Sequence, residues 1–392
     1  MRGTRRREFL ERATGAFIPS MLCSGGERGS RRFAMHLTMI DFSNNWGRSL
    51  RTWGMSGVRS LLDSVFETGI RTVYWRCNTR GRDYPTETGA AESGGTASLA
   101  AADSTDFGPW ESLSPAVDYA HSRGMEILAW YDQTDSHGGC GGPKKKTHNS
   151  FLLKHPYTTR CPLPGGKPSP VEVAEHRDPN CPLRGRGTQA SLVFPEVQDF
   201  RLSFIRKLVA KGVDGLYIVE NGSIGFEAPI TRSFRAARSL SPEAEIVPSD
   251  PRWVAYQAQY LAAYLKRVRS VTDSSGRPCR LILELRGSDK RAPGLRPYVE
   301  AALPCLFRDN LVDGVAVWTT KDVYTLRDRL RVLPKCIRRR YEVPDPLDPA
   351  ALESTFGEML AAGVAVIGVD EATVIERRDG WLLVRQLLNR LP

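Results

Sequence analysis

The sequence predicts a single (β/α)8 barrel, and three observations predict it. Helical stripes alternate with short apolar strands along about 350 of the 392 residues. Several of those helices end on a glycine immediately before a strand, at Gly69, Gly124, Gly212 and Gly363. The strands are nearly apolar throughout, as parallel strands buried on both faces are. A doubly wound open sheet is the competing architecture. No G-x-G-x-x-G or Walker-type loop follows any strand, which argues against a nucleotide-binding version.

AMHLTMIDF, from Ala34, reads as the first strand. The helix ending at Gly69 leads into RTVYWRC, and the helix ending at Gly124 leads into MEILAWYD. Next comes the most informative stretch, PEVQDFRLSFIRKLVAKGVDGLYIVEN. Val197, Phe200, Phe204, Ile205, Leu208 and Val209 form one apolar stripe at helical spacing. Gly212 caps that helix. Leu216 to Val219 make a buried strand with Glu220 at its tip. RLILELRG, from Arg280, and VDGVAVWTT, from Val312, are two further strands. VAVIGVDE follows Gly363. These make seven credible strands. An eighth falls near residues 336–343, where an Arg-rich composition weakens the reading. Residues 78–114 and 133–193 are long insertions after the second and third strands, on the carboxyl-end face of a barrel. Loops of that length in a compact domain are usually functional or disordered.

The chain divides into a basic N-terminal segment, residues 1–32, and a barrel domain, residues 33–392. The net charge is +11, and residues 1–32 alone hold eight Arg and three Glu. The remainder reads as a solvated basic surface, and no nucleic-acid motif supports a groove for that partner. No apolar run approaches the roughly 20 residues needed to span a bilayer. Thr4-Arg5-Arg6-Arg7-Glu8-Phe9-Leu10 resembles a twin-arginine export signal, with Arg6, Arg7, Phe9 and Leu10 on its pattern. The expectation is export, with a cytoplasmic location if the signal does not function. The segment after it is short and weakly apolar, and lacks a clean cleavage site. Cys140, Cys161 and Cys181 share one loop with His137, His148, His155 and His176. No close C-x-x-C or H-x-x-x-H pair anchors a metal there, so no metal or cofactor is expected, and in an exported protein a disulfide among the three is the stronger reading.

Carboxylates and aromatics at strand ends point to sugar chemistry. Glycosidic hydrolysis usually needs two carboxyl groups, one to protonate the leaving oxygen and one to attack or to activate water. Glu220 is the first candidate acid/base, because four apolar residues precede it and desolvation raises a carboxyl pKa. Its plain alternative is a buried ion-pair or loop-anchoring residue. Glu284 is the first choice of partner, with Asp132 and Asp370 close behind. Trp75, Trp130, Tyr131 and Trp318 lie near strand ends, where flat rings suit the C–H faces of a pyranose. Arg76 and Arg286 supply donors for hydroxyls or carboxylates. Asp41, Asn44, Asn45 and Trp46 form a second polar–aromatic group after the first strand, and Asn221 follows Glu220. Asp214 and Asp313 sit at strand starts and read as structural.

Several segments resemble one group, the family 10-like glycoside hydrolase barrels of bacteria. TVYWRCNTRGRDYP is similar to their second-strand signature, and SPAVDYAHSRGMEILAWYD to their next helix–strand unit. HPYTTRCPLPGG resembles their "HPEW" loop, and FPEVQDFRLSFIRKLVAKGVDGLYIVE their "PEVR…DG" unit. DPRWVAYQAQYLAAYLKRVR resembles the helix before their fifth strand, and NLVDGVAVW their "GLVD" strand. The resemblance covers about residues 34–320. It implies a barrel that acts on an oligo- or polysaccharide, with a carbohydrate as its partner. One departure matters. The family pattern often has Asp near the end of the fourth strand, where this chain has Glu220-Asn221. That departure, with the poor match from Lys321 onward, motivates one alternative, a carbohydrate-binding barrel without catalysis; the Cys/His loop motivates a more remote one, a metal-dependent barrel hydrolase.

Overall fold

The computed structural model describes residues 32–37, 55–79, 82–83, 113–133, 155–161, 164–165, 190–220, 222–285, 296–318, 323, 337–342, 348–370, 372, 375 and 380–391. Eight parallel strands close into a barrel. They are β1 (Phe33–Leu37), β2 (Thr72–Arg76), β3 (Glu126–Asp132), β4 (Gly215–Glu220), β5 (Arg280–Leu285), β6 (Gly314–Val317), β7 (Ile337–Glu342) and β8 (Val366–Asp370). Each strand pairs with its sequence neighbours, and β8 closes the ring on β1. A two-residue hairpin, residues 78–79 with 82–83, follows β2.

The described helices are α1 (Met55–Glu67), α2 (Leu113–Ser122), α3 (Pro195–Ala210), α4 (Ala228–Ala237), α5 (Pro251–Asp273), α6 (Pro297–Arg308), α7 (Pro349–Ala361) and α8 (Gly380–Arg390). α4 and α5 both follow β4, so α4 is an extra helix in the connection at the carboxyl end. Residues 77–112 separate β2 from α2, and residues 133–194 separate β3 from α3. Gly69, Gly124, Gly212 and Gly363 have φ of 94°, 68°, 94° and 91°. Only glycine adopts that region without strain, which is why each helix stops there.

Two apolar cores result from strand alternation. The larger lies between the strands and the helices. The smaller fills the barrel and contains Ala34, Tyr74, Leu128, Trp130, Tyr217, Val219, Ile282 and Ala316. The amino-end face is pinned by a repeated device. In Val213-Asp214-Gly215 and Val312-Asp313-Gly314, the Asp carboxylate accepts the backbone N–H that opens the preceding strand. The distances are 2.8 Å for Ile127 to Asp214 and 2.7 Å for Leu281 to Asp313. His121 Nε2 also meets Asp214 at 3.0 Å, and Arg269 Nη2 donates to Asp313 at 2.9 Å. Both acids hold strands in register, as their position predicts.

The Arg-rich segment is a full barrel strand. Arg338 and Arg340 alternate with Ile337 and Arg339, so every second arginine enters the barrel. Arg340 is buried against carboxylates there. Composition weighed against this strand because buried arginine is rare, and the charge partners lie on β5 and β8.

Residues 1–31, which hold the export-like signal, lie outside the described residues, as do Cys140, Cys181, His137, His148 and His176. Among the described residues no helix is long and apolar enough to cross a membrane. Among them, too, no group of three or more His, Cys, Asp or Glu could hold a metal ion.

Candidate active site

Strand phase decides which strand-tip residues reach the barrel mouth. Paired Cα partners in neighbouring parallel strands point to the same face of the sheet. Asp132 pairs with Val219, Val219 with Glu284, and Glu284 with Ala316. Val219 and Ala316 belong to the interior core, so Asp132 and Glu284 face inward with them. By the same alternation Arg76, Trp130, Trp318, Arg340, Asp370 and His36 also enter from the carboxyl-end half.

These side chains form one charged and aromatic cluster. Glu284 is fully buried. Its Oε1 accepts Trp318 Nε1–H at 2.8 Å, and its Oε2 lies 3.5 Å from Arg340 Nη1. Arg340 also donates through Nε to Asp370 Oδ2 at 2.8 Å, and its Nη2 reaches the same oxygen. One guanidinium thus bridges carboxylates from β5 and β8. Its carbon lies 4.2 Å from the Trp130 ring centre and 4.4 Å from that of Trp318. Such cation–π contacts strengthen when desolvated. Arg76 pairs with Asp132 at 3.5 Å and also lies over Trp130, at 4.6 Å. Arg76 and Trp318 are half-buried, while the three carboxylates are buried.

Beneath this layer sits His36, ringed by Tyr74 at 4.5 Å, Tyr217 at 5.0 Å and Trp130 at 5.1 Å. Gly368 makes room for it, because a Cβ there would lie 2.3 Å from His36 Cε1. Burial first, and the Arg340 charge second, lower the His36 pKa from 6.5 to about 3. His36 is therefore a neutral ring in the barrel floor. Tyr217 is held protonated, its pKa raised by burial and then by the Glu284 charge.

Glu220 lies elsewhere. Its register partner is Leu285, which belongs to the outer core, so its carboxylate faces the helices and not the barrel mouth. Five donors converge on it. Gly222 N–H and Ser223 N–H donate to Oε1, both at 2.8 Å, and Tyr298 Oη donates at 2.6 Å. Ser223 Oγ at 2.6 Å and Gln133 Nε2 at 2.7 Å donate to Oε2. This is the loop-anchoring arrangement. It ties the chain after β4 to the end of β3 and to the start of α6. Tyr298 pays no proton to this carboxylate, since burial and the Glu220 charge both raise its own pKa.

Two expected sugar-facing aromatics also point outward. Trp75 pairs with Ala129 in the outer core, and Tyr131 lies in the same layer. Tyr131 accepts Arg201 Nη1–H at 2.9 Å and packs on Phe204 at 4.9 Å. Both rings are helix-packing residues. Asp41, Asn44, Asn45, Trp46, Asn221 and Arg286 lie outside the described residues. The structure thus brings together Asp132, Glu284, Asp370, Arg76, Trp130 and Trp318. It adds Arg340, His36, Tyr74 and Tyr217, which strand-tip reasoning missed. A signal for Arg340 existed: in IRRRYE the apolar Ile337 sets the outward phase, which leaves Arg338 and Arg340 together on the other strand face.

No family model matches the sequence, and no curated protein matches it. Solved structures match its fold. The α-L-fucosidase isoenzyme 2 from Paenibacillus thiaminolyticus superposes with a TM-score of 0.56 at 12% identity. The match covers 92% of this chain and 49% of that one. A β-galactosidase from the psychrophilic Marinomonas ef1 matches at 0.54 and 11% identity, over 86% of this chain and 53% of its own. A β-galactosidase from the haloarchaeon Halorubrum lacusprofundi gives 0.52 and 11%, over 86% and 56%. This chain spans about half the length of these glycoside hydrolases, and the likeness is one of fold.

Proposed function

We propose that the chain is a glycoside hydrolase acting on an oligo- or polysaccharide, with its reacting groups on β3 and β5. One observation carries the reading. Asp132 and Glu284 occupy a single register row, two strands apart, inside the carboxyl end of the barrel. Two strand spacings place their Cα atoms roughly 9–10 Å apart, and both side chains converge inward from there. That spacing suits two carboxyl groups flanking a glycosidic bond. Active sites of such barrels lie at this face.

In this reading Glu284 is the carboxylate that stays ionised. Trp318 and Arg340 stabilise its negative charge, which suits a group that meets a developing oxocarbenium ion. Asp132, paired with Arg76, is the second carboxyl group and faces Glu284 across the bond. Trp318 and Arg76, the half-buried members, meet the sugar first. The resemblance to family 10-like barrels and export through the Arg6–Arg7 signal belong to the same proposal.

The test is hydrolysis of a glycan panel by wild type, Glu284→Gln and Asp132→Asn. Each variant is expected to lose about 100- to 10,000-fold in rate. Wild-type rates in both would remove this pair from the chemistry. A carbohydrate-binding barrel without turnover is the second reading. It is favoured by the guanidinium groups of Arg76 and Arg340, which compensate the carboxylates in the resting protein. Glycan binding without any reducing-sugar release would select it.

A further inference from the structure

A cavity of about 800 Å³ lies between the segment around residues 157–165 and α4. That segment belongs to the connection after β3, and α4 to the connection after β4. The cavity is therefore on the carboxyl-end side of the barrel, the side of the candidate active site. Its volume falls within the range of about 300–1,000 Å³ seen for ligand pockets.

The wall between the two connections is built and locked. Glu227 is 3% exposed. It accepts Cys161 N–H and Gly225 N–H, both at 3.0 Å. Phe226 N–H donates back to Cys161 O at 2.7 Å. Gly225 is required for this approach, because a Cβ there would lie 2.2 Å from Cys161 O. On the far side, Arg235 Nε donates to Ala244 O at 2.9 Å and fastens the 240s segment to α4.

The lining presents an aromatic edge and mixed charge. Tyr157 is 54% exposed, one of few large apolar side chains so placed among the described residues. Phe194 props it edge-on at 5.9 Å. Arg232, Glu243 and Glu245 are exposed on the lining. With Glu227 and Arg235 they make three carboxylates against two guanidinium groups. That balance disfavours a polyanion. An exposed ring among donors and acceptors of both signs fits a hydroxyl-rich, uncharged ligand.

We propose that this cavity is a remote subsite for an uncharged polysaccharide chain, whose other part lies in the barrel mouth. The inference deepens the proposed function, because it makes the substrate a neutral polymer and not a short oligosaccharide. Tyr157 stacks on one sugar of the chain, and Arg232 and Glu243 bond its hydroxyls.

The experiment is affinity electrophoresis of the full chain in gels holding mixed-linkage β-glucan, galactomannan, arabinoxylan or pullulan. Glu284→Gln is the background, so that the probe is not consumed, with Asp132→Asn as a second one. At least one of the four should retard the protein, and adding Tyr157→Ala should weaken binding about five- to tenfold. Arg232→Ala should weaken it too. Tyr157→Ala alone should leave hydrolysis of an aryl monoglycoside at the wild-type rate. Retardation by none of the four, or equal retardation with and without Tyr157→Ala, overturns the subsite. Tyr157-dependent retardation by a wild type that hydrolyses nothing keeps the subsite and removes the catalytic reading.

Discussion

Replacing Glu220 by Gln separates an anchoring carboxylate from a catalytic one. Three donors meet Oε1, and two of them are backbone amides that cannot reverse. The carboxamide oxygen must therefore take the Oε1 position. Its NH2 then faces Ser223 Oγ and Gln133. The serine hydroxyl rotates to accept. Gln133 flips and presents its Oε1, which is buried without a hydrogen-bond partner among the described residues. The geometry survives, but five bonds to an anion become bonds to a neutral group. Bonds to charged groups contribute about 1.5–3 kcal/mol, against about 0.5–1.5 for neutral ones. The gross loss is roughly 5 kcal/mol. Relief of the carboxylate's desolvation offsets part of it, leaving about 2–3 kcal/mol. Glu220→Ala is the harsher change, because it orphans five donors at about 1–3 kcal/mol each. That sum rivals the whole stability of an ordinary domain. Gln is therefore the informative substitution. Urea unfolding followed by tryptophan fluorescence should show a lower midpoint with an unchanged slope. The kcat of the folded variant should stay within about threefold of wild type. A hundredfold loss of kcat at an unchanged midpoint would refute the anchor and return Glu220 to the chemistry.

Arg340→Met should destabilise by about 3–5 kcal/mol, because it leaves Glu284 and Asp370 buried without their shared cation; urea midpoints check it. Acid stability should follow His36. Its pKa is lowered to about 3 in the fold, so between pH 6.5 and 3 the unfolded chain holds a proton that the native ring refuses. Stability then falls by about 1.4 kcal/mol per pH unit on the way down, and His36→Gln should flatten that limb in urea titrations at fixed pH. The alkaline limb runs the other way. Tyr217 and Tyr298 have pKa values raised well above 10, so the unfolded chain loses protons that the native rings keep. Stability falls as pH rises beyond 10, and Tyr298→Phe should reduce that slope.

The barrel was legible because its signals are local. A glycine at positive φ before an apolar strand marks a helix end whatever surrounds it, and Gly69, Gly124, Gly212 and Gly363 all serve that way. The strand tips were legible as positions but not always as directions. LYIVE is apolar on both faces, so nothing in it shows whether Glu220 turns in or out. RLILEL differs, because Arg280 and Glu284 share one phase around Ile282. Trp75 and Tyr131 misled for the same reason as Glu220: large rings fill either core. Arg340 was hidden because its partners stand on other strands, and a single segment cannot show that its charge is compensated.

A one-residue offset therefore decides the chemistry. Glu220 pairs with Leu285, and Glu284 pairs with Val219, so the two neighbouring strand-tip acids face opposite sides of one sheet. The inward acid meets Trp318, Arg340 and, one row-mate away, Asp132. Among the described residues the outward acid meets hydrogen-bond donors from the chain it restrains, Gly222 and Ser223, and from its two anchors, Gln133 and Tyr298. That chain, residues 222–227, runs directly to Glu227 and the wall of the neighbouring cavity. Weakening Glu220 should thus loosen the cavity wall before it touches Glu284. In Glu220→Gln, binding of a long chain should weaken while turnover of an aryl monoglycoside persists. The reverse order would require a path from Glu220 to the barrel interior, and strand phase denies it one.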